Sequence, residues 1–241
     1  MEKGPDQPTV MVGQAEYAVS APSSENIRLA PGGGCAVFTV RPGDVAPYDR
    51  MRGRPHERAE LIGLKPFTFG KVQVISFMQY IAPGSAASRD RPAVIGQIHN
   101  TGGQTKLPQP FVAMQMVGKR LRIVTFSGGK TLAAPKSVAR WEVPVEVGRW
   151  IRWTWEFAPD RTETKLQVWR DGVPLFPAAL NLGGYEGPRG PYWQFGIYRP
   201  KDTTAMRVGY ADMTVREGLL NSSALGRSRN IARKCAVKPI G

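Results

Sequence analysis

Apolar and polar residues alternate in short runs along most of this chain, and no long stretch sustains the 3.6-residue repeat of an amphipathic helix. A period of two puts successive side chains on opposite faces of a strand. It predicts strands at Cys35–Arg41, Arg58–Leu61, Lys71–Tyr80, Gln97–His99, Phe111–Val117, Arg120–Phe126, Trp150–Phe157, Lys165–Arg170, Tyr192–Arg199 and Arg207–Val215. Within Trp150–Phe157 the inward face carries Ile151, Trp153, Trp155 and Phe157, and the outer, more exposed face carries Trp150, Arg152 and Glu156. Asp171-Gly172, between Trp169-Arg170 and Val173-Pro174, is a hairpin turn signal. About eight to twelve short strands with no helical layer to cover them predict an all-β fold of two stacked antiparallel sheets.

Composition agrees with that picture. The 27 glycines, 21 prolines and six tryptophans favour strands joined by turns, and 241 residues with 41% hydrophobic content are enough for one domain with a sizeable core. Residues 1–30, rich in Pro, Ser, Gly and Gln, are expected to form an N-terminal arm with one candidate strand, Tyr17–Ser20. The sandwich is placed at residues 31–218, and residues 219–241 form a basic tail packed on the domain or trailing from it. Ala82 to Pro92 reads as a mobile loop. Cys35 and Cys235 are compatible with a disulfide joining the two ends of the domain and equally with two free thiols. Neither a secretory signal nor a run of transmembrane length is visible, so no membrane partner is expected.

Charge changes the picture more than size does. With 33 Lys+Arg against 19 Asp+Glu, a formal charge of +14 gives a surface field that attracts polyanions. Nucleic acid is not expected as the partner, because the aromatics lack an interleaved basic recognition motif and follow the sheet pattern instead.

The candidate chemistry lies in three runs. In Tyr192-Trp193-Gln194-Phe195-Gly196-Ile197-Tyr198-Arg199, alternation puts Tyr192, Gln194, Gly196 and Tyr198 on one face and Trp193, Phe195 and Ile197 in the core. Gln97-Ile98-His99 puts Gln97 and His99 on one face, and Arg58-Ala59-Glu60-Leu61 does so for Arg58 and Glu60. Removing a proton beside a carboxylate builds negative charge on its oxygens, so a site for that step needs donors on the carboxylate, a base at the carbon and an acid for the leaving oxygen. Arg58 and Gln97 are suitable donors, His99 a base near neutral pH, and Tyr198 an acid whose pKa a nearby Arg58 or Arg199 would lower. His56 shares the Arg58 face and is either a second base or binding group, or a turn residue after Pro55. No carboxylates have the spacing of a Ca²⁺ loop, and no metal or cofactor is expected. A glycoside hydrolase would need two carboxylates across the scissile bond, and no strand carries a Glu-x-Asp-x-x-Glu arrangement.

These three runs, in this order, resemble the motifs of the jelly-roll polysaccharide lyases: Arg-Ser/Thr-Glu-Leu at Arg58–Leu61, Gln-Ile-His at Gln97–His99, and Tyr-Phe-Lys-x-Gly-x-Tyr at Tyr192–Tyr198. The resemblance extends loosely over residues 35–217. It implies a concanavalin A-like β-jelly roll with a concave groove, no cofactor, and β-elimination on a 1,4-linked uronic-acid polymer. In some relatives Ca²⁺ is structural. Carried over by position, Arg58 and Gln97 neutralise the carboxylate, His99 is the general base and Tyr198 the general acid, although in some relatives the tyrosine serves as both. Gln194, Tyr192, Arg199, Glu60, His56 and Gln115 are the expected substrate-binding residues. Gln194 stands where the family has lysine, which removes a positive charge. Arg199 after Tyr198 is similar to the glucuronan-lyase and heparin-lyase branches rather than to alginate lyases, which tilts the expected substrate toward a glucuronate-containing chain. A monomer working outside the cytoplasm, extracellular or periplasmic, is expected. The competing reading is a lectin-like binding protein for acidic polysaccharides that lacks turnover.

Overall fold

The computed structural model describes residues 7–101, 110–127, 136–184, 189–220 and 235–240. Among these, sixteen strands run in chain order: Thr9–Val12 (β1), Ala15–Ser20 (β2), Ile27–Leu29 (β3), Cys35–Val40 (β4), His56–Gly63 (β5), Gln73–Ile81 (β6), Ala93–His99 (β7), Pro110–Val117 (β8), Arg120–Ser127 (β9), Lys136–Pro144 (β10), Trp150–Ala158 (β11), Lys165–Arg170 (β12), Val173–Pro174 (β13), Leu180–Asn181 (β14), Tyr192–Pro200 (β15) and Met206–Glu217 (β16). One short helix, Pro47–Met51 (α1), starts on a proline, whose fixed φ suits the first helical turn.

The strands form two sheets. The first has the order β1-β2-β5-β15-β7-β8-β9-β10, and the second β13-β12-β11-β6-β16-β4-β3 with β14 also paired to β12. Neighbours pair antiparallel throughout, and the inward faces meet in one core. Alternation explains which residues fill it. Trp153, Trp155 and Phe157 of β11 face Trp193, Phe195 and Ile197 of β15 in a fully buried layer, with Trp155 edge-on to Trp193 at 5.3 Å. Arg152 departs from the pattern: it lies on the outer face yet is buried, donating to Ser76 Oγ and lying 3.4 Å from Asp212. Asp171 and Gly172 both have positive φ, as a two-residue turn between β12 and β13 requires.

The N-terminal arm is corrected. Residues 9–29 supply β1 and β2 to the first sheet and β3 to the second. Their Pro, Ser and Gly residues sit largely between strands, while Val10, Val12, Tyr17, Val19, Ile27 and Leu29 pack on the core, and burying that apolar surface is what fixes the segment.

At the other end, Cys235 is disulfide-bonded to Cys35, with Cα atoms 5.6 Å apart across 200 residues of sequence. Residues 235–240 lie against the second sheet: Arg207 Nη1 donates to the Lys238 and Pro239 carbonyls, and the Ile240 amide donates to the Pro83 carbonyl. Val237 fills the space beside Gly209, where a Cβ would come within 2.5 Å of its side chain. Arg227, Arg229, Arg233 and Lys234 of the basic tail lie outside the described residues.

Candidate active site

The face of the first sheet that points away from the core gathers most of the expected site residues, and strand register sets their order. Along β15, Tyr192 is opposite His99, Gln194 lies between Gln97 on β7 and Ile62 on β5, Gly196 is opposite Glu60, and Tyr198 is opposite Arg58. Arg58, Glu60, Gln97 and Gln194 therefore form a polar floor, with His99 toward one end and Tyr198 toward the other.

Gly196 is where the floor is shaped. Between Phe195 and Tyr198 the register against β7 slips by a residue, while the pairing with β5 stays regular. Gly196 has φ +128°, and a Cβ there would come within 2.3 Å of the Ala59 carbonyl oxygen, so only glycine fits. The bulge brings Tyr198 opposite Val94 and leaves the position above Glu60 without a side chain.

Arg58 is held by carboxylates. Its Nε and Nη2 donate to Asp49 Oδ2 and Oδ1 at 2.8 and 3.1 Å, and Nη1 lies 3.3 Å from Glu60 Oε2. Burial opposes its charge, but Glu60 and Asp49 outweigh that and raise its pKa. Asp49, fully buried on α1, is the functional residue that the sequence reading missed: it lies in the proline- and arginine-rich connection before β5, and its only local signal was the Pro47 that opens a helical turn.

Glu60 is 1% exposed. Gln97 Nε2 donates to its Oε1 at 3.1 Å, and the Gln194 side chain hydrogen-bonds to it as well. Burial raises its pKa to about 7 against the opposing pull of Arg58, Gln194 and Gln97.

Tyr198 lies between two β5 side chains. The Arg58 guanidinium carbon is 4.4 Å from its ring centroid, and His56 stacks on it at 5.0 Å. The expected lowering of its pKa is corrected: burial raises it, and the Arg58 charge only partly offsets that, so the phenol holds its proton at neutral pH. His56 opens β5 rather than sitting in a turn, and its buried Nδ1 has no hydrogen-bond partner among the described residues. Burial lowers its pKa.

His99 Nδ1 is 2.9 Å from the Asn100 carbonyl oxygen and 3.2 Å from Tyr192 Oη. A carbonyl only accepts, so Nδ1 carries the proton and the lone pair is left on Nε2. Burial lowers the His99 pKa, with Arg58 adding to the effect and the Asn100 hydrogen bond opposing it. The imidazole is therefore neutral at pH 7.

Two expected residues lie elsewhere. Arg199 does not face the site: by alternation it shares the side of Trp193, Phe195 and Ile197, and it forms an ion pair with Glu57 at 2.8 Å, the two being 1% and 0% exposed. Gln115 is on the correct face but on β8, in register with Val94, where its Oε1 accepts from Arg122 Nε at 3.0 Å. Beyond the Tyr198 end, a cavity of about 470 Å³ opens between Ala86–Ser88, Arg91 and Lys201–Thr204.

Fold and face together define a jelly-roll β-sandwich with a polar, histidine- and tyrosine-flanked site on one sheet. Residues 21–215 match the model of the family described as Polysaccharide lyase, and the chain belongs to that family: it is a polysaccharide lyase. No curated protein sequence matches the chain. Similar solved structures include an endo-β-1,4-glucuronan lyase from the fungus Trichoderma reesei (14% identity, TM-score 0.59, covering 88% of this chain and 91% of that one). Alginate lyase A1-II', of polysaccharide lyase family 7, aligns with 11% identity and TM-score 0.62 over 85% and 95% of the two chains. Alginate lyase AlyC3, solved in complex with dimannuronate, aligns with 12% identity and TM-score 0.56 over 78% and 76%. At these identities the likeness shows the shared jelly-roll fold.

Proposed function

We propose that this lyase cleaves a 1,4-linked uronic-acid polymer by β-elimination. The observation that carries the reading is the polar floor: buried Arg58 on β5 and Gln97 on β7 flank β15, with a neutral histidine toward one end and a protonated tyrosine toward the other. A uronate seated over Gly196 has its carboxylate among donors that stabilise the charge growing there. His99 Nε2 takes the proton from C5, the C4–O bond breaks, and the Tyr198 hydroxyl gives its proton to the departing oxygen, leaving a C4=C5 double bond at the new non-reducing end. This chemistry divides the roles between His99 as base and Tyr198 as acid, which suits a neutral imidazole and a phenol whose pKa is raised.

Glucuronan and alginate are both substrates to test, since the similar structures include lyases named for each. The Cys35–Cys235 disulfide suits work in an oxidising compartment, outside the cytoplasm. The test is ultraviolet absorbance during incubation with glucuronan, heparosan, heparin, hyaluronan and alginate, each run separately. The expected result is a rise with at least one polymer that His99→Ala abolishes. New reducing ends without that absorbance would instead mean hydrolysis, and binding without either would mean a lectin-like protein.

A further inference from the structure

The donors that the proposed mechanism aims at the substrate carboxylate already hold a carboxylate. Glu60 receives Gln97 Nε2 at 3.1 Å, lies 3.3 Å from Arg58 Nη1 and is hydrogen-bonded by Gln194, all on the floor of the site. Asp49 occupies the other edge of the Arg58 guanidinium, so the one buried cation on this floor among the described residues is already faced by two acids. A uronate arriving among Arg58, Gln97 and Gln194 would be a third carboxylate, and like charges this close cannot all remain ionised in a water-poor site. Asp49 keeps its bidentate partner. Glu60 is the acid that shares its donors with the ligand.

We propose that Glu60 takes up a proton from solvent when the uronate carboxylate binds, so that substrate affinity, and not only turnover, depends on pH. The inference rests on the lyase reading of the same site. The surroundings can receive the neutral acid if the Gln194 amide turns over: its N–H now donates to the carboxylate, and its buried Oε1, which has no donor among the described residues, would then accept the Glu60 hydroxyl. The titratable and charged groups around Glu60 are Arg58 on its own strand, Asp49 on α1, Tyr198 on β15 and Tyr210 on β16, with His56 on β5 and His99 on β7 toward the two ends of the floor. Both tyrosines have raised pKa values and are neutral already, and Arg58 stays charged, so these three do not take up the proton, and comparison with Glu60→Gln separates uptake at Glu60 from uptake elsewhere in the site. Burial has already raised the Glu60 pKa to about 7 in the free site, and an incoming negative charge raises it further and favours protonation.

Gln194 becomes a positioning residue for the neutral Glu60.

The test is isothermal titration of a short 1,4-linked uronate oligosaccharide into Tyr198→Phe protein, in two buffers of different ionisation enthalpy. At about pH 8 the expected uptake approaches one proton per oligosaccharide bound, falling toward zero near pH 5, and Kd rises about tenfold per pH unit above pH 7. Adding Glu60→Gln should flatten both dependences. The pH trend in the Glu60 parent keeps the proposal falsifiable if the Gln variant folds poorly. Binding with no proton uptake at pH 8, or uptake unchanged by Glu60→Gln, overturns the proposal while wild-type turnover of the polymer leaves the lyase reading standing. Absence of wild-type turnover on every uronate polymer overturns both.

Discussion

At the scale of single residues, the parity of a strand position decides its role. Tyr192, Gln194 and Tyr198 reach the outer face because they are an even number of residues apart, and Arg199 is excluded from it because it is one residue on. Arg199→Met should lower stability by about 3–5 kcal/mol, because Glu57 would be left buried and unpaired. KM for the polymer should change little in the folded fraction. Thermal denaturation with parallel kinetics checks this, and a KM shift without loss of stability would return Arg199 to the substrate site. The placement of Arg199 was legible in the alternation, which a motif-level comparison overrode. Asp49 was not legible, because its partner Arg58 is brought to it only by folding and no local pattern marks a buried acid.

At the scale of elements, β15 carries the site because one of its faces is core and the other is floor. Its central Gly196 absorbs the register slip against β7 while the pairing with β5 stays regular and Tyr198 packs against Arg58 and His56 of β5. Gly196→Ala puts a Cβ against the Ala59 carbonyl in a backbone conformation that L-residues rarely adopt. The backbone strain alone should cost about 1–3 kcal/mol. A lower melting temperature together with a lower kcat is expected, and an unchanged kcat in the folded protein would mean that the bulge does not aim Tyr198. The strands that carry the site were legible from their alternation and aromatic content. Strands β1, β3 and β10 were not. The first two are four and three residues long, too short for alternation to stand out among Pro, Gly and Ser, and β10 mixes its apolar residues with Lys136, Arg140 and Glu142.

At the scale of the whole molecule, the two sheets divide the work. The first exposes the reactive face, while the second is backed by residues 235–240 and the disulfide. A cross-link between residues 200 apart restricts the unfolded chain, so Cys35→Ser/Cys235→Ser should lose about 2–5 kcal/mol of stability with kcat nearly unchanged at a permissive temperature. Loss of kcat in the folded double variant would show that the two sheets are coupled. The charge of +14 belongs to this scale too: it draws an acidic polymer to the surface without choosing the polymer, as composition alone already indicated. The most direct test of the account is to measure turnover and binding of one uronate polymer side by side in wild-type and Tyr198→Phe protein. The account predicts that the hydroxyl's removal lowers turnover by about 10²–10⁴-fold while binding persists. Turnover that survives the substitution would contradict Tyr198 as the acid, and with it the proposed site.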